Sequence, residues 1–185
     1  MINKNKLFRN IHIYVSLFFL PVALLYAISG VAYIFGANQD TLATKTTHTV
    51  SGVSLEKGQE EQTLLEILKA QGIKIPANTK VKADRKQGGF TMGGAHYSVN
   101  AKQNDEELVL TTTTRSLLGD IIMLHKDKGE WYFSVLAVGF GAALILLYLS
   151  GLMITLFASK KDRQAQLAVL TLGIFACILL AYLSL

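Results

Sequence analysis

The run Ile11–Gly36, IHIYVSLFFLPVALLYAISGVAYIFG, decides the fold, because it contains no Lys, Arg, Asp or Glu. Two further stretches share that property, Trp131–Ala158 and Gln164–Leu185. Each has about 20 residues or more, enough to cross a ~30 Å hydrocarbon core at a rise of 1.5 Å per residue. Buried helices of a soluble protein would need a large core around them, and the remaining ~100 residues cannot supply one. The mean hydropathy of +0.36 fits this division, being high for a soluble domain and low for a chain lying wholly in lipid. The chain therefore reads as a membrane protein in contact with the lipid bilayer.

The first run begins like a signal peptide, with Lys4, Lys6 and Arg9 ahead of it and a passable cleavage site at Ala27-Ile28-Ser29. Its apolar stretch is about twice the usual length, however, and Val31–Phe35 continues apolar past that site. An uncleaved helix is expected.

Orientation follows from the positive charges. Lys4, Lys6 and Arg9 precede the first apolar run, and Lys160, Lys161 and Arg163 lie between the second and third. The segment between the first two runs holds 12 basic and 12 acidic residues, so the net charge of +5 comes from the short flanks alone. Short basic flanks stay in the cytoplasm. The expected order is a cytoplasmic N-terminus (1–10), a first span (11–36), a periplasmic domain (37–130), a second span (131–158), a cytoplasmic loop (159–163) and a third span (164–185). The C-terminus then ends on the periplasmic side of an inner membrane. With the charge spent on topology, no basic stripe remains for nucleic acid. The single cysteine, Cys177, falls inside the third run and reads as a packing residue, which leaves the outer domain without a disulfide.

Within that domain, Ala37–Gly52 is polar and Thr-rich and reads as an extended connector. Glu60–Gln71 has a helical apolar pattern, with Gly72 as its stop. Lys80–Lys86 reads as a strand and Gln87-Gly88-Gly89 as a turn. Phe90–Ala101 reads as a second strand interrupted by Gly93-Gly94, and Asn104-Asp105 as a turn. Glu107–Thr114 is a third strand, rich in β-formers, and Leu117–Leu124 is an apolar descent toward the second span. A helix followed by an antiparallel meander gives a small α+β domain. The segment carries no phosphate loop, no metal-spaced Cys/His cluster and no nucleophile elbow, so no catalytic or metal-binding residue is assigned.

Four histidines are present. His48 and His96 stand in polar surroundings and read as solvent-exposed. His12 opens the first span on the cytoplasmic side, and His125 lies just before the second on the outer side. A histidine at a helix end either ligates haem or anchors at the interface. At opposite membrane faces, His12 and His125 of one chain cannot hold a single iron, so each would need a partner from another subunit. Ser16, Ala23, Ala27 and Gly30 in the first span, and Gly139, Ala142, Ala143 and Ser150 in the second, form small-residue faces for packing within the chain, against a membrane partner or against another copy. Pro21 is a potential kink. The two spans also share a short likeness, Leu24-Leu25-Tyr26-Ala27-Ile28-Ser29-Gly30 against Leu146-Leu147-Tyr148-Leu149-Ser150-Gly151. The spans run in opposite directions, so each Ser-Gly lies at the far end from its own histidine.

These landmarks resemble the PepSY-associated transmembrane family: Arg9-Asn10-Ile11-His12 with Ile28-Ser29-Gly30, then a helix-and-strand domain, then Leu124-His125 with Leu149-Ser150-Gly151. Gly119 sits where such domains often carry a turn. The resemblance covers most of residues 7–157. It implies a PepSY-like fold for the periplasmic domain. Some larger members look like ferric or ferri-siderophore reductases that carry haem between membrane helices. This chain has three spans, no histidine in mid-span, and His12-Ile13-Tyr14 where those members have an aromatic-rich His-Arg-Trp. These departures point away from an enzyme and toward a non-catalytic accessory role in iron acquisition or respiratory redox chemistry. The alternatives are a haem-binding electron-transfer subunit using His12 and His125, and a regulator or anchor of a periplasmic protein.

Overall fold

A computed structural model describes residues 4–55, 58–84, 88–104, 107–153 and 163–185. The expected cytoplasmic loop lies almost wholly outside the described residues, as do Gln87 and Asp105 of the two expected turns. Among the described residues, three helices are long and apolar enough to cross a membrane: α1 (Lys4–Ile34, with its apolar span at Arg9–Ile34), α4 (Trp131–Met153) and α5 (Arg163–Ser184). The helix α1 is continuous through Pro21. Between α1 and α4 lie β1 (Thr44–Ser51), α2 (Glu60–Ala70), β2 (Val81–Ala83), β3 (Phe90–Gly93), β4 (Tyr97–Asn104), β5 (Glu107–Thr114) and α3 (Leu117–His125). This is an α+β domain inserted between two membrane helices.

The five strands form one sheet in the order β1-β5-β4-β3-β2, antiparallel at each described pairing. Alternate residues of the strands face α2. Leu108 and Leu110 on β5, Val99 and Ala101 on β4, and Met92 on β3 close over Leu64, Ile67 and Leu68 of the helix. Leu68 and Met92 are both 0% exposed. Burying a leucine side chain fully contributes about 1.5–3 kcal/mol, so these few residues hold the layer together without a disulfide.

Three expectations change here. Residues 44–51 are not a connector but the edge strand β1. Its threonines pair with those of β5 (Thr44 with Thr114, Thr46 with Thr112, Thr47 with Thr111). An edge strand with mostly polar side chains lacks the apolar alternation that marks a strand in sequence, and its partner lies far along the chain. Second, the expected interrupted strand 90–101 is a hairpin. Gly93 has a φ of +124°, and a Cβ there would lie 2.5 Å from the Tyr97 carbonyl oxygen, so only glycine lets β3 turn back onto β4. Third, the apolar descent is the helix α3, and Gly119 is inside its first turn rather than in a connecting turn. A Cβ on Gly119 would lie 2.6 Å from the Gln39 carbonyl oxygen; the glycine admits a close approach of helix and loop.

Ser116 caps α3. Its Oγ accepts from the Gly119 N–H at 3.1 Å and donates to the Thr41 carbonyl at 2.7 Å. Arg115, one residue earlier, donates through Nη1 to the Ala95 carbonyl at 3.0 Å and to Ser98 Oγ at 3.1 Å. Burial lowers the Arg115 pKa, and the nearby carboxylates of Asp40 and Asp120 act against that shift. Together these residues pin the 37–43 loop and the 94–98 turn to the start of α3.

The long helices expose what the domain hides. Tyr14, Phe18, Ile34, Trp131, Val138 and Tyr148 stand open, and α5 has no buried residue. Such surfaces belong in lipid, with backbone groups satisfied inside each helix. Cys177 is exposed on α5, so it is not packed within the chain as expected.

Candidate functional site

The residues that recur in the two apolar runs come together in pairs. His125 is the last residue of α3, and its Nδ1 lies 2.6 Å from Ser29 Oγ on α1. The Tyr26 ring lies beside the imidazole, with centroids 4.3 Å apart. Ser29 is buried, and its hydroxyl also donates back along its own helix to the Leu25 carbonyl at 2.7 Å. A cavity of about 220 Å³ adjoins this pair, lined by Ser29, Gly30, Tyr33, Ile122, His125 and Lys126. The Lys126 ammonium closes one side. It lies 5.0 Å from the centroid of the Tyr33 ring and donates to Gln39 Oε1 at 3.0 Å.

The second pair repeats the first. His12 Nδ1 on α1 lies 3.1 Å from Ser150 Oγ on α4. Ser150 donates back to the Leu147 carbonyl at 2.9 Å. Beside this pair is a more apolar cavity of about 410 Å³, whose walls include Val15, Phe19, Gly139, Ala143 and Leu147. Phe19 lies near Gly139: a Cβ on that glycine would make ordinary van der Waals contact with the Phe19 ring, at 3.6 Å. Phe140 lies 5.9 Å from Phe19, ring to ring.

The small-residue faces are corrected in part by this packing. On α4, Gly139, Ala143 and Ser150 do turn inward, whereas Ala142 is exposed. On α1, Ser16, Ala23 and Gly30 are half-buried and Ala27 is exposed, and the larger Val15, Phe19, Val22 and Tyr26 are buried or half-buried beside them. Phe19 of α1 lies near both Gly139 and Phe140 of α4, a packing that a count of small residues on each helix separately does not reveal.

The structure thus gives His12 and His125 separate serine partners. His96 is exposed, with Nδ1 2.8 Å from Asp120 Oδ2; this hydrogen bond is a feature that sequence reasoning missed. His48 stands opposite Leu110 on the edge strand. Among the described residues, no group of three or more His, Cys, Asp or Glu is placed to hold a metal ion. The serine partners were missed too, although the signal was present. Helix α1 carries His12 near its start and Ser29-Gly30 near its end, while α4, which closes in Ser150-Gly151, is preceded by His125 at the end of α3, so each serine meets the histidine of the other segment.

The fold and these paired sites define a multi-pass membrane protein with an α+β domain between its first two membrane helices. The chain matches the model of the PepSY-associated TM region over residues 9–184 and belongs to that family. No curated protein and no solved structure matches it.

Proposed function

We propose that the protein is a non-catalytic accessory subunit of the inner membrane in iron acquisition or respiratory redox chemistry, and that it acts by holding haem at His12 and His125. The observation that supports this is the doubled His–Ser pair. In each, Nδ1 is engaged by a serine, which leaves Nε2 as the ring nitrogen available to iron. Metal-ligating histidines are characteristically fixed through their other nitrogen in this way. The donors fit in kind: an imidazole beside an apolar cavity. Bound haem would supply one-electron redox chemistry; the chain's own residues orient the imidazoles and exclude water. Each pair would supply one nitrogen to the group, so any further ligand would come from a partner chain. The topology proposed with it keeps the N-terminus cytoplasmic and the 37–130 domain periplasmic.

Protein purified in mild detergent after expression with ample haem should show a Soret band. His12→Ala and His125→Ala should each remove part of it, and its absence from the wild type would overturn the haem assignment. Unaided reduction of a ferric chelate by the purified protein would overturn the non-catalytic role. Reporter fusions at the N-terminus and within 37–130 test the topology.

A second function, anchoring a periplasmic protein, is favoured by β1. This eight-residue edge strand pairs with β5 on one side, and an extended segment of a partner could add to its other side. Cross-linking from Thr47 or Thr49 that captures no partner would count against it.

A further inference from the structure

We infer that Ser29 and Ser150 are positioning residues that keep a hydrogen on Nδ1 of His125 and His12, so that whenever the ring is neutral its Nε2 presents a bare lone pair. The assignment follows from hydrogen counting. A serine hydroxyl has one hydrogen to donate and two lone pairs to accept with. Ser29 Oγ lies 2.7 Å from the Leu25 carbonyl oxygen. Two oxygens at that separation need a hydrogen between them, and a carbonyl has none to give. The hydroxyl hydrogen therefore points at the carbonyl. Only lone pairs then face His125 Nδ1 at 2.6 Å, and the ring nitrogen must carry the hydrogen. The same count holds at the other pair, where Ser150 donates to the Leu147 carbonyl at 2.9 Å and faces His12 Nδ1 at 3.1 Å.

A neutral imidazole has one N–H, so fixing it on Nδ1 strips Nε2. The helical backbone enforces the arrangement. A serine in a helix can donate to the carbonyl three or four residues back, and both serines do so here. Burial of Ser29 keeps away water that would otherwise compete for the ring. What Nε2 then does rests on the haem assignment above; the tautomer itself does not.

The test uses the full chain in lipid nanodiscs, without haem, carrying ring-¹⁵N histidine, at a pH above the ordinary histidine pKa. His12→Gln and His125→Gln identify the signals. The expected spectrum has a protonated-type resonance at Nδ1 and a bare-type resonance at Nε2 for both rings. Ser29→Ala should disturb that pattern for His125 alone, and Ser150→Ala for His12 alone. Ser29→Thr, which keeps a hydroxyl, should preserve it. A wild-type ring carrying its hydrogen on Nε2, or alanine variants that leave both tautomers in place, would overturn the inference. The wild-type spectrum alone decides the tautomer should a variant fail to fold. The expected tautomers with no Soret band after haem supply would sink only the haem assignment, and a Soret band with the wrong tautomer would sink only this one.

Discussion

Helices α2 and α5 both carry leucines, and the two use them in opposite ways. Leu68 on α2 is sealed beneath the sheet, whereas Leu172 on α5 is 66% exposed in a helix with no buried residue. In water an exposed stripe of this kind would be a liability. In lipid it is solvated, and there is no core for it to join. The difference shows that apolar content alone does not locate the stabilising contacts of this chain; the surrounding medium does.

The comparison is broken most directly by truncating each leucine. Leu68→Ala should cost the α+β domain about 2–5 kcal/mol, read as a lower unfolding midpoint of the full chain in detergent. A loss below that range would show that the sheet closes over α2 more loosely than its burial indicates. Gly119→Ala comes next, at about 1–3 kcal/mol, because the added methyl collides with the Gln39 carbonyl and α3 must move away from the loop. Ser116→Ala should cost about 0.5–2 kcal/mol by uncapping α3, with faster amide exchange at Gly119 as its local sign. Smallest of all, Leu172→Ala should stay within about 0.5 kcal/mol. A larger effect in the same unfolding measurement would reveal that α5 has a protein partner rather than lipid alone.

How far the fold was legible follows from the range of each signal. The spans at α1, α4 and α5 were legible because a charge-free run is a local property. The helix α2 was legible through Leu64, Ile67 and Leu68, and β5 through its dense β-formers. By contrast, β1 is a strand because Thr44 finds Thr114, and the hairpin at Gly93 exists because β4 folds back on β3. Both are pairings, and a run of threonines announces neither. The site divides in the same way. His12, His125, Ser29 and Ser150 could each be picked out, but reading Ser150 as a packing residue and Ser29 only as part of a short repeat and a family motif left the hydrogen bonds between them and the histidines unseen.

The Thr44–Thr114 pair has a mechanical consequence. The domain's first strand begins directly opposite the residue on which its last strand ends. Paired residues of an antiparallel ladder stand about 4.5–5.5 Å apart, so the polypeptide enters and leaves the sheet at one corner. A pulling force applied through the two tethers would open β1 from β5 one rung at a time, starting at that corner, instead of shearing all the rungs together. For the same reason, lengthening the chain at the far end of the sheet would leave the separation of the tethers unchanged, as in a domain spliced into a short turn.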